Sequence, residues 1–585
     1  MTTQGTIALL DVSSSSYPER LCAAALQGLA NRGGPRVFLD YGVYDDPEAR
    51  RTNEAFIDER AWRGKYRDML GDQDRLCLDY YEGAHGISAR RVESLDALIA
   101  ENRSLVSGRV VWDESMPDTA NVTLMLAARD GLLPVTAGMA DRAGTAGLPV
   151  AHDLRGRWAG RLELYRWALD ELFPDCTEGS IACVEPEWRR PEFADYLVQN
   201  RIFTYSLSSG GSGAGGTILR LLAFGPAPLR EAVFALGLDG PLRRLGLALA
   251  GSGSPEARLS NRIQRKTLAR PYPTIFGWHT ARDDELSFML QLSSNGLRLV
   301  PAHLAANFSF HSRVAPLPAA GTAAAGPAVA AAPALLAGPA VAERKTEIDP
   351  DGVYVTFTLS DGDQLMMMNS GQLGNWRSPS RGAVPFNWEV QPLLAELAPA
   401  LLQRYTRNAA PSDCLVAGPS GAGYVVPPLC PDLRSYMSET ARLCAMAGLT
   451  VATSYVADPP RRVLRRLARY RGALAGFLCG YAVVGRAPQG IRDGCVFVAN
   501  ELPLASGIHD PAERLLEQVK ARIEAPGPRP RFIAAHLFAY RAGIDDVARF
   551  VAGVSDERVH FVRADEFLAA ARAHYSRHDR EGGGA

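Results

Sequence analysis

Between residues 353 and 562 short apolar runs and amphipathic stretches take turns, and this alternation constrains the fold more than any other feature of the chain. Apolar runs of strand length lie at 353–359, 414–417, 449–455, 473–478, 495–499, 531–537 and 559–562. Helical periodicity fills 389–406, 433–447, 460–469, 510–523, 543–552 and 565–575 between them. Strands that alternate with helices pair in parallel and are buried on both faces, because each helix carries the chain back across the sheet. Seven strands and six helices predict an α/β fold with a C-terminal (β/α) barrel-like domain, near the lower size of the eight-stranded form. A doubly wound open sheet uses the same alternation and is the structural alternative.

The chain has 585 residues, beyond the ~250–300 at which one hydrophobic core stops growing, so it is multi-domain. From Val314 to Ala342 it is almost wholly Ala, Pro, Gly and Leu, with no amphipathic period. A linker is therefore placed at 314–345, with the barrel-like domain at 346–580. Upstream, a strand at 6–12, a helix at 17–31 and the run VFLDYG form one strand-helix-strand pattern. A second has a strand at 109–112, a helix near 119–129 and an apolar run at 132–136; further on, 161–173 reads as a helix and 198–207 as a strand. These predict small N-terminal α/β domains at 1–80, 81–150 and 151–313.

Hydrophobic residues make up 47% of the chain and the formal net charge is -1, as in ordinary globular proteins. Nucleic-acid binding is not expected, because phosphate recognition needs a concentrated basic surface. No apolar run reaches the ~18 residues of a membrane-spanning helix, and the start lacks the basic and apolar regions of a secretory signal. A cytoplasmic protein without membrane partners is the expectation, and the oligomeric state is unreadable. Nine scattered cysteines, with no CxxC pair, read as reduced packing residues. Cys430, after a Gly-rich turn, is the candidate for a reactive thiol.

In either α/β architecture ligands gather at the C-terminal ends of the strands, where the loops converge. The run VYVTFTL ends in Ser360-Asp361-Gly362-Asp363. Two acids at i and i+2 of an extended segment stand about 6.6 Å apart, within the ~6.5–9.5 Å range of inverting glycosidases. An Asp-Gly-Asp turn that satisfies its own backbone reads equally well. The run CLVAG leads into Gly421-Ala422-Gly423-Tyr424, where glycines admit a ligand close to the backbone and the tyrosine can stack on a sugar face. Later strand ends supply Ser454, Tyr455, Tyr481, Asn500, Glu501, His536 and Tyr540. Glu501 is a candidate partner in an acid/base pair, and His536 titrates near neutrality, although a hydrogen-bonded core histidine is the simpler reading. Trp376 and Trp388 frame a loop and could stack on sugar rings, or be core.

Two further signals fit plain structure better. The formal GxGxxG from Gly211 to Gly216 sits in a low-complexity tract with no strand-end acid ~20 residues on, and reads as a loop rather than a dinucleotide site. The basic helix RRVLRRLARYR, 461–471, has the narrow apolar stripe of a solvated barrel helix; an anionic partner is the alternative.

The run Gly421-Ala422-Gly423-Tyr424-Val425-Val426-Pro427, together with Ser360 to Asp363, resembles the signature of the GxGYxYP putative glycoside hydrolase family. The likeness extends upstream to Leu26–Arg32, Asp153–Trp158, Phe276-Gly277-Trp278 and Asn307-Phe308-Ser309, in the family's order. It implies small N-terminal α/β domains, a barrel-like C-terminal domain and glycoside cleavage. Val426 replaces the second tyrosine of the name motif, and Gln364 follows the Ser-Asp-Gly-Asp block. These departures suggest an altered substrate, such as a soluble glycoside or polyol-like metabolite.

The expectation is a glycosidase-like enzyme acting on a small carbohydrate-like substrate, with Asp361, Asp363, Glu501 and His536 catalytic. Trp376, Trp388, Gly421, Gly423, Tyr424 and Tyr540 would bind substrate. No motif calls for a cofactor. The alternatives are a non-catalytic carbohydrate-binding protein and a metal-assisted lyase or hydrolase using Asp361, Asp363 and His536 as ligands.

Overall fold

Local chemistry sets where the elements begin and end. Ser16 and Glu19 form a capping box that starts the helix Tyr17–Ala30. The Asp432 side chain accepts from Ser435 N at 3.0 Å to start Leu433–Ala447, which Gly448 closes at φ +70°. The computed structural model describes residues 5–42, 73–268, 272–278, 285–318, 348–360, 364–481, 489–502 and 511–582, residues 212 and 471 apart. Most of the Ala/Pro-rich stretch lies outside them.

The chain divides into two compact units, one of 1–216, 247–317 and 396–401, the other of 217–246, 318–395 and 402–585. The first unit contains three small parallel sheets. Strands Val37–Asp40 and Ser88–Val92 flank Thr6–Asp11; Leu132–Val135 and Val150–Asp153 flank Gly108–Val111. The third sheet has the order Arg298–Val300, Thr274–Gly277, Ser180–Cys183, Phe203–Tyr205. The predicted strand at 198–207 is shorter, because the helix Ala194–Gln199 occupies its first residues.

A buried polar network ties this unit together. Asn307, at φ +61°, accepts from Gln27 Nε2 at 2.6 Å and Leu39 N at 2.9 Å, and donates to Leu39 O and Asp74 Oδ1, both at 2.9 Å. Asn31 Nδ2 donates to Ser309 Oγ at 2.9 Å, so the sequence blocks around Gln27 and Asn307 meet in space.

The second unit is built on a closed ring of seven parallel strands, taken in chain order: Val353–Ser360, Phe386–Val390, Asp413–Ala417, Val451–Ser454, Gly476–Cys479, Cys495–Leu502 and Arg531–Phe538. The ring closes where Thr358 and Leu359 pair with Asn387 and Trp388. The α/β barrel expectation holds, with two differences in its parts. Phe386–Val390 is a strand where the sequence pattern suggested the start of a helix. Val559–Phe561, counted among the seven from sequence, pairs only with Val353–Val355, below the seam where the first two strands join.

That seam explains how the barrel is sealed. From Val559–Phe561 the chain enters the helix Ala564–Gly582, whose first amide donates to Asn387 Oδ1 at 2.7 Å. Phe567, Leu568, Ala570 and Ala571 then pack on Tyr354, Val451, Leu478, Val496 and Phe532, four of these at the first or second position of their strands. The helix therefore plugs the N-terminal mouth. A Cβ at Gly476 would lie 2.9 Å from Leu568 Cδ1, so the glycine admits the plug. Above this layer the inward positions become polar: Thr356 and Thr358, Asn387 and Glu389, Thr453, Asn500 and His536. Side chains alternate across a strand, so an apolar floor with a polar upper level is written at every second residue.

Candidate functional site

Glu389 carries the carboxyl group at the centre of the polar level. Its carboxyl is wholly buried. Ser360 Oγ and Gln364 Nε2 donate to Oε1 at 2.6 and 3.0 Å, and Thr453 Oγ1 donates to Oε2 at 2.7 Å. Burial pushes its pKa up to about 7 although these hydrogen bonds act to lower it. Gly418 makes room for it: a Cβ there would fall 2.4 Å from Glu389 Oε2 and 1.9 Å from Thr453 Oγ1. Gln364 Nε2 also donates to Gly418 O, and its Oε1 accepts from Gln391 Nε2 at 2.8 Å.

His536 faces the same carboxyl, with Nε2 3.7 Å from Glu389 Oε2. Among the described residues neither ring nitrogen has a hydrogen-bond partner, and burial brings the imidazole down to about 3. The ring meets Tyr481 edge to face at 5.1 Å. Asn500 donates to Gly480 O at 3.1 Å, while its Oδ1 is buried without a partner among the described residues. Buried polar atoms left unpaired at the C-terminal end of a parallel barrel are what a polar ligand would satisfy.

The Gly-rich loop forms one wall. Ser420, Gly421 and Gly423 take positive φ, and a Cβ at Gly421 would meet Thr440 Cγ2 at 2.4 Å. Tyr436 Oη clamps the loop by donating to Ser420 O and Gly423 O at 2.7 and 2.8 Å. The loop delivers Tyr424, whose hydroxyl is 2.9 Å from that of Tyr481. Tyr455 stacks on Tyr481 at 5.9 Å. Val426, in place of the motif's second tyrosine, is buried.

The remaining candidates fall in three places. Asp361 and Asp363 lie outside the described residues. Their chain neighbours Ser360 and Gln364 both bond Glu389 Oε1. Glu501 alternates with the inward Asn500 at a bulge in its strand, and pairs with Arg522 at 3.5 Å. Trp388 points into the shell between sheet and helices, donating to Asp413 Oδ1 at 2.9 Å. Trp376 packs edge to face on it at 5.1 Å, under the Arg381 guanidinium at 4.1 Å. Tyr540 is buried against Phe538. Thus His536 faces Glu389 and Tyr424 joins it through Tyr481, whereas Glu501, Trp376 and Trp388 face elsewhere. Cys430 is buried, its thiol on Val426 O at 3.6 Å.

Glu389 itself escaped the sequence reading, because its segment was taken as helix. The signal was in Phe386-Asn387-Trp388-Glu389-Val390, where apolar residues alternate with two polar ones. Among the described residues no group of three His, Cys, Asp or Glu side chains could hold a metal ion. Asp361 and Asp363, which the metal reading combines with His536, are outside that set. Among the same residues no helix is long and apolar enough to cross a membrane.

Fold and site together define a multi-domain α/β protein with a closed parallel barrel and a polar upper level inside it. The chain belongs to the GxGYxYP family: the model described as "GxGYxYP putative glycoside hydrolase C-terminal domain" matches residues 351–572, and "GxGYxYP_N second domain" matches 106–177. A solved structure described as a putative hydrolase from Bacteroides thetaiotaomicron VPI-5482 is similar over 97% of this chain and 95% of its own, with a TM-score of 0.68 and 17% identity. At that identity the likeness shows the fold alone. No curated protein matches the chain.

Proposed function

We propose that this protein hydrolyses a glycosidic bond of a sugar-like substrate at the C-terminal end of the barrel, with Asp361 and Asp363 as the acid/base pair. One observation carries the reading. Both neighbours of the 361–363 tripeptide bond the buried carboxyl of Glu389, next to a histidine whose two nitrogens have no hydrogen-bond partner among the described residues. Glu389 is then a positioning residue, holding the two chain neighbours of the acids, Ser360 and Gln364. His536 and the Asn500 amide oxygen bond substrate hydroxyls, and Tyr424 shapes the wall.

In the chemistry this supports, a protonated carboxyl gives its proton to the leaving oxygen as the anomeric C–O bond breaks. The other carboxylate takes a proton from the water that attacks the anomeric carbon. Such a division needs one acid neutral and one ionised, which neighbouring carboxylates enforce on each other through like-charge repulsion. Glu501 has no place in this scheme, because it stands beside Arg522. The tryptophan pair supports the strand that carries Glu389.

Asp361→Asn and Asp363→Asn, assayed separately on a panel of aryl glycosides and for sugar binding, test the proposal. The expected result is a loss of turnover of at least about a hundredfold with binding retained. Wild-type protein that binds sugars but turns over none of the panel supports a non-catalytic binding protein instead. Activity abolished by chelation and restored by a divalent ion supports the metal-assisted reading.

A further inference from the structure

The helix Ala227–Ala235, within the barrel unit, buries its arginine and exposes its leucine. Arg230 is 2% exposed. It donates to Gly225 O and Ala223 O at 2.8 and 3.0 Å and pairs with Asp458 at 2.5 Å. Glu231 accepts from the amide of Arg461 at 2.9 Å. The exposed positions of the same helix are Ala227, Pro228, Leu229, Ala232 and Ala235, none of them polar. Leu229 is 51% exposed, and Leu236 and Leu238, just beyond the helix, are 74% and 45% exposed. Leu229, Ala232 and Leu236 follow the i, i+3, i+7 spacing of one stripe. The inner face, with Phe234 buried, is that of any surface helix, but the outer face ordinarily is polar, and an exposed apolar face marks an interaction site.

What lies beside the stripe indicates the partner. The helix Arg461–Ala468 packs alongside, with Arg462 donating to Phe234 O at 3.1 Å. It buries Val463, Leu464 and Leu467 and exposes Arg461 and Arg465, with Arg469 exposed at its end. An aliphatic stripe flanked by arginines is the composition of a segment lying in the plane of an anionic membrane surface. The stripe has none of the aromatic anchors that dominate protein interfaces, where leucine is under-represented among hot spots.

We propose that this face docks on an anionic lipid surface, with Leu229, Leu236 and Leu238 entering the headgroup layer and Arg461, Arg465 and Arg469 meeting lipid phosphates. The docking is peripheral and needs no spanning helix. It is independent of the catalytic reading, since none of these residues belongs to the barrel site.

The test is co-sedimentation of the full chain with vesicles of phosphatidylcholine alone and of phosphatidylcholine mixed with phosphatidylglycerol. The protein is expected to sediment with the mixed vesicles and to be released by salt, because exposed charge pairing is screened. The variant Leu229→Ser/Leu236→Ser/Leu238→Ser is expected to bind the mixed vesicles about tenfold or more weakly. The variant Arg461→Gln/Arg465→Gln/Arg469→Gln is expected to lose the preference for phosphatidylglycerol. Thermal melts of both variants that match wild type show that the fold is intact. Wild-type protein that stays in the supernatant with both vesicles, or a leucine variant that binds as wild type does, overturns the proposal. So does a wild-type dimer in gel filtration that the leucine substitutions dissolve without any vesicle binding, since the face would then cover a second copy.

Discussion

The Nε2 of His536 and the Oε2 of Glu389 face each other across 3.7 Å inside the barrel, both side chains wholly buried. Burial opposes charge on both, lifting the glutamate to about 7 and lowering the histidine to about 3. Below about pH 7 two neutral groups thus stand just beyond hydrogen-bond distance, each with capacity left for a third molecule.

That arrangement has a pH signature. Glu389 titrates at about 7 when folded against an ordinary 4.5, so its contribution to stability is complete below pH 4.5 and is lost as pH rises through about 7. A shift of that size corresponds to on the order of 3 kcal/mol. His536 works in the opposite sense, its contribution present above pH 6.5 and lost as pH falls toward 3. Glu389→Gln keeps an acceptor for Ser360 and Gln364 but cannot ionise. Denaturant unfolding from pH 4.5 to 8 is expected to show wild type losing stability relative to this variant as pH rises. A difference that does not vary with pH would show that Glu389 is ionised throughout.

Gly418 is a steric requirement of the site. Gly418→Ala would place a methyl carbon 2.4 Å from Glu389 Oε2 and 1.9 Å from Thr453 Oγ1. Overpacking of this kind costs about 1–3 kcal/mol and displaces the carboxyl. The variant is expected to melt lower and to lose turnover even where it remains folded, as an activity assay below its melting temperature would show.

How much of this was legible beforehand follows from what each strand faces. The helix Leu433–Ala447 and the strand Thr6–Asp11 bury apolar residues at regular intervals, and periodicity finds such elements. Phe386–Val390 puts its apolar residues outward against the helices and its polar ones inward, and only a closed barrel makes that favourable. Glu501 looked like a site acid because it ends an apolar run; the alternation of its strand sends Asn500 inward instead. The plug of the lower mouth joins residues over two hundred positions apart, which no local pattern encodes.

The plug yields its own expectation. Phe567 is fully buried and meets Phe532 edge to face at 5.6 Å. Phe567→Ala removes a large buried side chain of the floor and should lower stability by about 3–5 kcal/mol. Substrate affinity at the other end of the barrel should stay the same in the folded fraction, as titration calorimetry would report.

In the first unit, Asn307 makes four buried hydrogen bonds from a left-handed backbone conformation. Asn307→Ala removes a buried partner from Gln27 Nε2, Asp74 Oδ1 and the Leu39 amide and carbonyl and imposes strain on an alanine, at a combined cost above about 3 kcal/mol. A markedly lower melting temperature is expected, and a change of less than a degree or two would mean the network is dispensable.

The most direct test of the central claim is a crystal structure of Asp361→Asn/Asp363→Asn soaked with an intact glycoside at saturating concentration. The account requires a sugar inside the upper barrel, with a hydroxyl on a His536 ring nitrogen and another on Asn500 Oδ1. A sugar bound elsewhere, or a barrel that stays empty with both His536 nitrogens unpaired, would contradict it.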